Sequence, residues 1–107
     1  MERLDFNGLD TVAHGPVRLG VLTALQAHGP LDFTTLKKRL AVADGTLGQH
    51  LQKLEESGYV VCDKAFIGQR PKSTYRLTGV GRKSLGRYLA IMQAIIDSAN
   101  SVSERGE

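Results

Sequence analysis

The sequence predicts a mainly α fold with a small β-hairpin, an α+β class, and three observations support it. Residues 31–57 hold two short amphipathic segments separated by a tight turn, which is typical of a helix-turn-helix. Residues 59–78 are rich in β-branched and aromatic residues on both sides of a basic turn sequence. Residues 79–100 carry apolar residues at alternating steps of three and four, the spacing of a long helix.

Length and composition favour one domain. The chain has 107 residues, of which 41% are hydrophobic, and this suits a single core of modest size. We expect one domain over residues 1–107, with the helical core and hairpin in residues 14–78. Residues 79–100 are then the long helix and residues 101–107 a flexible tail.

The first three predicted helices are bounded by proline, glycine and a capping residue. Residues 4–13 show mixed helical spacing, which favours a short leading helix. Pro16 suits the first turn of a second, largely apolar helix, which the sequence His28-Gly29-Pro30 ends. Asp32 is placed to cap a third helix over residues 33–40, whose basic side chains face water.

The next helix is predicted over residues 44–57, with Asp44 as its N-cap and Gly58 as the left-handed residue after its end. At about 100° per residue, one side of this helix is apolar and consists of Leu47, Leu51 and Leu54. The opposite side is rich in amides and consists of Thr46, Gln49, Gln52, Lys53 and Glu56. His50 lies on the flank, where a partly buried histidine bonded to a neighbour is the favoured interpretation.

A β-hairpin with a basic turn follows. Residues 59–66 and 73–78 are predicted as its strands, and the sequence IGQRPK as its turn. Between Lys64 and Ile96 there is no Asp or Glu, whereas seven basic residues lie in this window: Lys64, Arg70, Lys72, Arg76, Arg82, Lys83 and Arg87. This polarised charge favours a polyanionic partner. The alternative is a solvated face, some of whose basic residues pair with Glu55, Glu56 or the N-terminal acids.

The last predicted helix has a capping residue and a long apolar stripe. Thr78 can cap it, although Gly81 stands where a capping box would have Glu or Gln. The stripe consists of Leu85, Tyr88, Leu89, Met92, Ile95, Ile96 and Ala99. A helix of roughly 20 residues spans about 30 Å, which exceeds the reach of so small a core. The stripe either packs on the chain's own core or meets a second subunit over residues 88–99, and we expect the second arrangement, a homodimer.

Composition excludes several classes of protein. The single cysteine, Cys62, cannot form an internal disulfide, and its default role is that of a small inert core residue. The first residues, MERLDFNGLD, lack the basic and apolar regions of a signal peptide. No apolar run approaches the roughly 20 residues of a membrane span. We therefore expect a cytoplasmic protein.

Metal and catalytic motifs are also missing from the sequence. His14, His28, His50 and Cys62 show no paired spacing such as CxC or HxxxH, so we expect no metal and no cofactor. The sequence has no nucleophile elbow, no phosphate loop of the GxxxxGK type and no pair of carboxylates in an apolar setting. We therefore expect a binding protein rather than an enzyme.

Three stretches together resemble a known family: VAHGPVRLGVLTAL, LDFTTLKKRLAVADGTLGQHLQKLEESGYV and GQRPKSTYRLTGVGR. They are similar to small prokaryotic winged helix-turn-helix transcriptional regulators related to the MarR and ArsR groups, and the resemblance covers about residues 9–96. It implies a homodimer that binds a double-stranded DNA operator, an inverted repeat. The helix over residues 44–57 would then enter the major groove. The loop over residues 67–73, at the end of the hairpin or wing, would meet the backbone or minor groove.

The resemblance and the side-chain chemistry together give candidate site residues. On the recognition helix these are Asp44, Thr46, Gln49, His50, Gln52 and Lys53. On the wing they are Lys64, Gln69, Arg70, Lys72 and Ser73, and the dimer interface would be the apolar stripe of the last helix. Gln49 is the first choice for reading a base, because an amide can pair with the adenine edge.

Two features of the sequence bear on this assignment. Gly48 stands where relatives usually carry a polar residue, which removes a hydroxyl contact and costs the helix up to about 1 kcal/mol relative to Ala. A winged helix that docks a protein without binding DNA is the alternative function, and the basic wing favours DNA. A small-molecule effector is compatible with the resemblance, and no residue identifies one.

Overall fold

The computed structural model describes residues 10–104, and their side chains up to residue 101. In chain order the described elements are α1 (Pro16–His28), β1 (Leu31–Asp32), α2 (Phe33–Leu40), α3 (Asp44–Glu56), β2 (Val60–Ile67), β3 (Arg70–Leu77) and α4 (Gly79–Glu104). The three strands form one antiparallel sheet in the order β1-β3-β2. The predicted class, mainly α with a small β-hairpin, is confirmed, and the architecture is that of a winged helix.

The segment before α1 is a turn where it is described. The Asp10 side chain accepts hydrogen bonds from the backbone N–H of Val12 at 2.8 Å and of Ala13 at 3.4 Å. Such a side-chain bond competes with helical backbone bonding, so the leading helix predicted over residues 4–13 is not formed over residues 10–13. Residues 4–9 lie outside the described part of the chain.

The predicted boundaries of α1 and α2 are confirmed. Pro16 occupies the first turn of α1, and Gly29 follows its end with a φ of 79°. The Asp32 carboxylate accepts a hydrogen bond of 2.8 Å from the backbone N–H of Thr35 and so caps α2. This bond lowers the pKa of Asp32 below its ordinary value, and nearby Lys72 lowers it further.

The predicted N-cap of α3 is wrong by one residue. Ala43 is the N-cap, with no side-chain hydrogen bond, and Asp44 is the first helical residue. The Asp44 carboxylate instead pairs with the Lys37 ammonium at 2.8 Å, across the turn between α2 and α3. The other end falls at Glu56, one residue before the predicted Ser57, and Gly58 is left-handed as predicted, with a φ of 77°.

The hairpin turn is shorter than predicted. It consists of Gly68 and Gln69 alone, and the six-residue turn IGQRPK is wrong because β3 begins at Arg70. A two-residue turn needs a positive φ, which Gly68 supplies at 65°. Ile67 and Arg70 close the turn, so the next pair, Phe66 and Pro71, is of the kind without ladder hydrogen bonds. A proline that lacks its N–H is tolerated there.

The core lies between α1, α3, the sheet and the first half of α4. It consists of Ala13, Val21, Leu22, Leu25, Leu36, Leu47, Leu51, Leu54, Val60, Tyr75, Leu85 and Tyr88. Thr78 caps α4, as predicted, by accepting a hydrogen bond of 3.0 Å from the backbone N–H of Gly81. A Cβ on Gly81 would overlap the carbonyl oxygen of Tyr59, and this explains why the capping box is incomplete.

The last helix continues past the core. It has 26 residues and ends at Glu104, so residues 101–104 of the predicted flexible tail are helical. At 1.5 Å per residue it spans about 39 Å. Among residues 10–104, no helix is both long enough and apolar enough to cross a membrane.

Candidate nucleic-acid interface

The α3 helix is anchored by one face and exposes the other. Leu47, Leu51 and Leu54 are at most 1% exposed. Opposite them lies the outer face of α3, which we define as Gly45, Thr46, Gln49, Gln52, Lys53 and Glu56, and all six are exposed. The predicted division of this helix into an apolar and a polar side is therefore confirmed.

Side chains on the outer face differ in how they are engaged. The Gln52 amide donates a hydrogen bond of 3.3 Å to the Glu56 carboxylate. Neither Gln49 nor Thr46 takes part in a side-chain hydrogen bond among the described residues, so both are available to a ligand. His50 is half-buried, as expected, but its ring has no hydrogen-bond partner within residues 10–104.

Two glycines leave the backbone at the start of α3 uncovered by side chains. A Cβ on Gly45 or on Gly48 would meet no protein atom within 4 Å. Neither residue is required by packing or by a positive φ, although each weakens the helix by up to about 1 kcal/mol relative to Ala. The first two turns of α3 can therefore come close to a bulky ligand, for example to the floor of a nucleic-acid groove. The sequence singled out Gly48, and Gly45 carried no signal of its own.

The ribbon of β2 and β3, which we call the wing, holds the second group of predicted residues. Lys64, Gln69 and Arg70 are exposed, and Ser73 is half-buried. The Lys72 ammonium lies 3.5 Å from the Asp32 carboxylate, so part of its charge is neutralised within the chain. Lys64 and Arg70 form no ion pair within residues 10–104. They are the two wing cations with charge to offer a partner.

Three of the four remaining basic residues have partners other than those expected, and Lys83 has none among the described residues. Arg76 pairs with Asp63 at 3.2 Å, on the same face of the ladder. Arg82 donates to the Gln26 side chain at 2.9 Å, and Arg87 donates to the Ser84 hydroxyl at 3.4 Å. None of the ion pairs of the described residues involves Glu55 or Glu56, so the predicted pairing is not found there, and the N-terminal acids Glu2 and Asp5 lie outside the described residues. The acid that neutralises Arg76 is its near neighbour across the strands.

Polar contacts fix α4 against the rest of the domain. The Tyr59 hydroxyl donates to the Asp10 carboxylate, and burial, together with that bond, raises the pKa of Tyr59. His14 Nδ1 lies 2.8 Å from the Tyr88 hydroxyl oxygen. These contacts join the turn before α1, the start of β2 and α4.

The apolar stripe of α4 divides into a buried and an exposed part. Leu85 and Tyr88 are 2% and 3% exposed, because they pack in the chain's own core. Leu89 and Ile96 are each 46% exposed. The stripe also includes Met92 and Ile95, which are half-buried, and Ala99, which is exposed. A surface available to a second subunit therefore begins at Leu89.

The described residues include one cysteine and no cluster of metal-ligating side chains. Within residues 10–104, no group of three or more His, Cys, Asp and Glu side chains could hold a metal ion. Cys62 is half-buried in β2 and is paired in the ladder with Tyr75. Burial, with a contribution from the Cys62 thiol, raises the pKa of Tyr75.

Comparison with known proteins agrees with this geometry. The sequence matches the family described as the winged helix DNA-binding domain over residues 17–96, a range that includes both α3 and the wing. It is 37% identical over 73 residues to an uncharacterized protein of Methanocaldococcus jannaschii, covering 68% of this chain and 79% of that protein.

Solved structures of transcriptional regulators are similar to the whole fold. A transcriptional regulator homologue from Pyrococcus horikoshii is 31% identical with a TM-score of 0.76, over 82% of this chain and 87% of that one. A PadR family transcriptional regulator from Eggerthella lenta is 25% identical with a TM-score of 0.67, over 80% of this chain and 81% of that one. The chain belongs to the winged helix DNA-binding domain family, with the fold of transcriptional regulators.

Proposed function

We propose that this protein is a homodimeric transcriptional regulator that binds double-stranded DNA sequence-specifically. The recognition helix is α3, which enters the major groove, and the wing lies against the backbone or the minor groove. The observation that carries the proposal is the outer face of α3, where unengaged polar side chains stand beside two glycines that no packing requires. Such a face suits close approach to base edges.

Base readout falls to the part of α3 that precedes Glu55. Gln49 is exposed, and its amide can make two hydrogen bonds to an adenine edge. Thr46 can meet a phosphate or a thymine methyl group, and Lys53 a phosphate or a guanine acceptor. Gln52 must first give up its bond to Glu56, and Asp44 is held by Lys37. Glu55 and Glu56 would repel phosphates, so the end of α3 lies outside the groove.

Affinity comes mainly from the wing. Lys64 and Arg70 can neutralise phosphates, and each contact releases condensed counterions. Lys72 contributes less, because a phosphate must compete with Asp32 for its ammonium. Gln69 in the turn and the half-buried Ser73 can add hydrogen bonds to the sugar-phosphate backbone.

Dimerisation uses the exposed part of the α4 stripe. Leu89 and Ile96 lie one above the other, seven residues apart, and a second copy of the helix would cover both. Pairing of two recognition helices about 34 Å apart would match inverted half-sites at about 10 bp spacing. Two sets of contacts give the specificity that one such domain is too small to supply.

The Gln49→Ala variant tests the assigned base reader. Operators are first recovered by selection from random duplex DNA at a fixed salt concentration. We expect the variant to lose discrimination at one position of each half-site by about 1–3 kcal/mol, because one paired amide is removed. Binding competition among point-substituted operators measures this. Equal weakening on every operator would show that Gln49 only positions the protein.

The double variant Leu89→Asp with Ile96→Asp tests the dimer. Two carboxylates per helix in an apolar contact cannot be buried without cost, so we expect a monomer at micromolar concentration by sedimentation velocity. Val80→Asp is the matched control, since Val80 is 59% exposed on the opposite side of the same helix. The proposal expects the unsubstituted protein and this control to sediment as dimers. An unsubstituted protein that sediments as a monomer contradicts it.

A further inference from the structure

The tip of the wing carries apolar surface that neither the core nor the sheet uses. Phe66 is 75% exposed and Ile67 is 62% exposed, the two highest values among the large hydrophobic residues that the structure describes. Both stand immediately before the two-residue turn. A folded chain has no packing reason to hold two large apolar side chains there, so the tip is a candidate contact surface.

Apolar groups occupy both faces of the ribbon at this point. Phe66 is paired across the strands with Pro71, and Ile67 with Arg70. Successive residues of a strand point to opposite faces, so Phe66 and Pro71 share one face and Ile67 lies on the other. The end of the wing is thus a thin, two-stranded body with an aromatic ring on one side and an aliphatic chain on the other.

The tip also stands clear of the domain. The third strand, β1, pairs with β3 only at Thr74 and Tyr75. Arg70 lies four residues beyond Thr74, and at about 3.3 Å per residue the turn is roughly 13 Å past the edge of the three-stranded sheet. A closed, narrow turn at that distance can enter a groove that a helix cannot.

Positive charge surrounds the apolar tip. Lys64 and Arg70 are exposed and unpaired among residues 10–104, and Lys72 is only partly neutralised. No acidic residue lies between Lys64 and Ser73. An apolar tip flanked by cations is complementary to a surface that has anionic groups along its edges and apolar groups between them. The minor groove of DNA offers such a surface, with phosphates at its rims, sugars along its walls and the apolar faces of the bases wherever a step opens.

We propose that the wing tip is an apolar wedge that enters the minor groove. Phe66 and Pro71 pack against the sugars and push apart the two stacked base pairs of one step. Lys64 and Arg70 hold the phosphates on either side. The inference rests on the proposed function and deepens it, because it assigns the wing a role in deforming DNA. Pyrimidine–purine steps unstack most easily, so the wedge selects operators with TA or CA steps where the wing lands.

The test uses operator duplexes of roughly 30 bp recovered by selection from random DNA. The adenine of each pyrimidine–purine step is replaced in turn by 2-aminopurine, whose fluorescence rises when a base unstacks. We expect a rise at one step per half-site on adding the unsubstituted protein. Phe66→Ala should abolish the rise and weaken binding of the dimer about a hundredfold, the value of one lost stacking contact in each half-site. Its salt dependence should not change, because no charge is removed.

Two further variants test whether the effect is specific to an apolar side chain at the tip of the wing. Phe66→Leu retains an apolar wedge and should keep most of the affinity and part of the fluorescence change. Val80→Ala removes similarly exposed apolar surface at the start of α4, at the opposite end of the ribbon from the tip, and should leave both unchanged. Both positions are exposed, so these substitutions should leave folding intact.

The outcomes separate this inference from the proposed function. If the unsubstituted protein binds no duplex in a salt-dependent way, the proposed function fails. If it binds but no step unstacks and Phe66→Ala binds as tightly, the wedge is overturned while DNA binding stands. In that case the apolar tip belongs to a protein contact instead.

Discussion

Replacing Gly81 with alanine should lower the free energy of unfolding by about 3 kcal/mol, the upper range for overpacking a well-filled site. The new Cβ would overlap the Tyr59 carbonyl oxygen and contact the Leu77 side chain. A side chain could turn away, but a backbone carbonyl is held by its own hydrogen bonds. The Tyr59 carbonyl accepts from the Thr78 backbone N–H at 3.0 Å. Relief therefore requires α4 to move off the domain.

Gly86→Ala is the matched control for this prediction. It lies in the same helix, and its Cβ would meet nothing within 4 Å. We expect it to stabilise the protein by up to about 1 kcal/mol, the difference in helix propensity. Urea denaturation at one protein concentration measures both variants, since a dimer's stability depends on concentration. Equal midpoints for the two variants would contradict the close contact between α4 and Tyr59.

Removing the two free wing charges should have the largest effect on DNA binding. The double variant Lys64→Ala with Arg70→Ala removes four charges per dimer, so the slope of log K against log salt should become less steep by about 4. At about 0.1 M salt this corresponds to more than a hundredfold loss of affinity on every sequence alike. Titrations across a salt series measure it.

Arg76→Ala supplies the control from the same ribbon. Its guanidinium is already neutralised by Asp63 at 3.2 Å, so the salt slope should stay nearly unchanged. If Arg76→Ala flattens the slope as much as the double variant does, the tip of the wing is not the part that meets phosphates. If Lys72→Ala made the salt slope less steep than Arg70→Ala did, Asp32 would have to release Lys72 when DNA binds.

Local signals in the sequence predicted most of the fold. The caps at Asp32 and Thr78 and the left-handed Gly58 act within a few residues of where they stand, so spacing alone identifies them. The leucine side of α3 follows from helical periodicity in the same way. These features led to the winged helix architecture before any long-range contact was known.

Contacts across the fold account for what the sequence predicted wrongly. Asp44 is one residue inside α3, and its carboxylate pairs with Lys37 of the neighbouring helix rather than capping its own. Pro71 suggested a loop, yet it lies in a strand at a pair that needs no N–H. Leu85 and Tyr88 looked like the rest of the apolar stripe, and only packing assigns them to the chain's own core.

The candidate site was predictable only in part, because some of its properties depend on contacts across the fold. Residue type and periodicity placed Gln49 and Arg70 on exposed surfaces, but they could not show which cations are already paired. Lys72 and Arg76 differ from Arg70 only through acids that folding brings near them. The exposed Phe66 and Ile67 could not be recognised either, because an apolar residue in a predicted strand is ordinarily assigned to the core.

This chain is proposed to bind DNA as a dimer through α3 and the wing, and the salt dependence of binding is the most direct test of that proposal. The measurement is the affinity of the unsubstituted protein for a selected duplex across a salt series. If each dimer neutralises about six phosphates, log K should fall against log salt with a slope near −5. A slope near zero would contradict the account and would favour a winged helix that docks a protein instead.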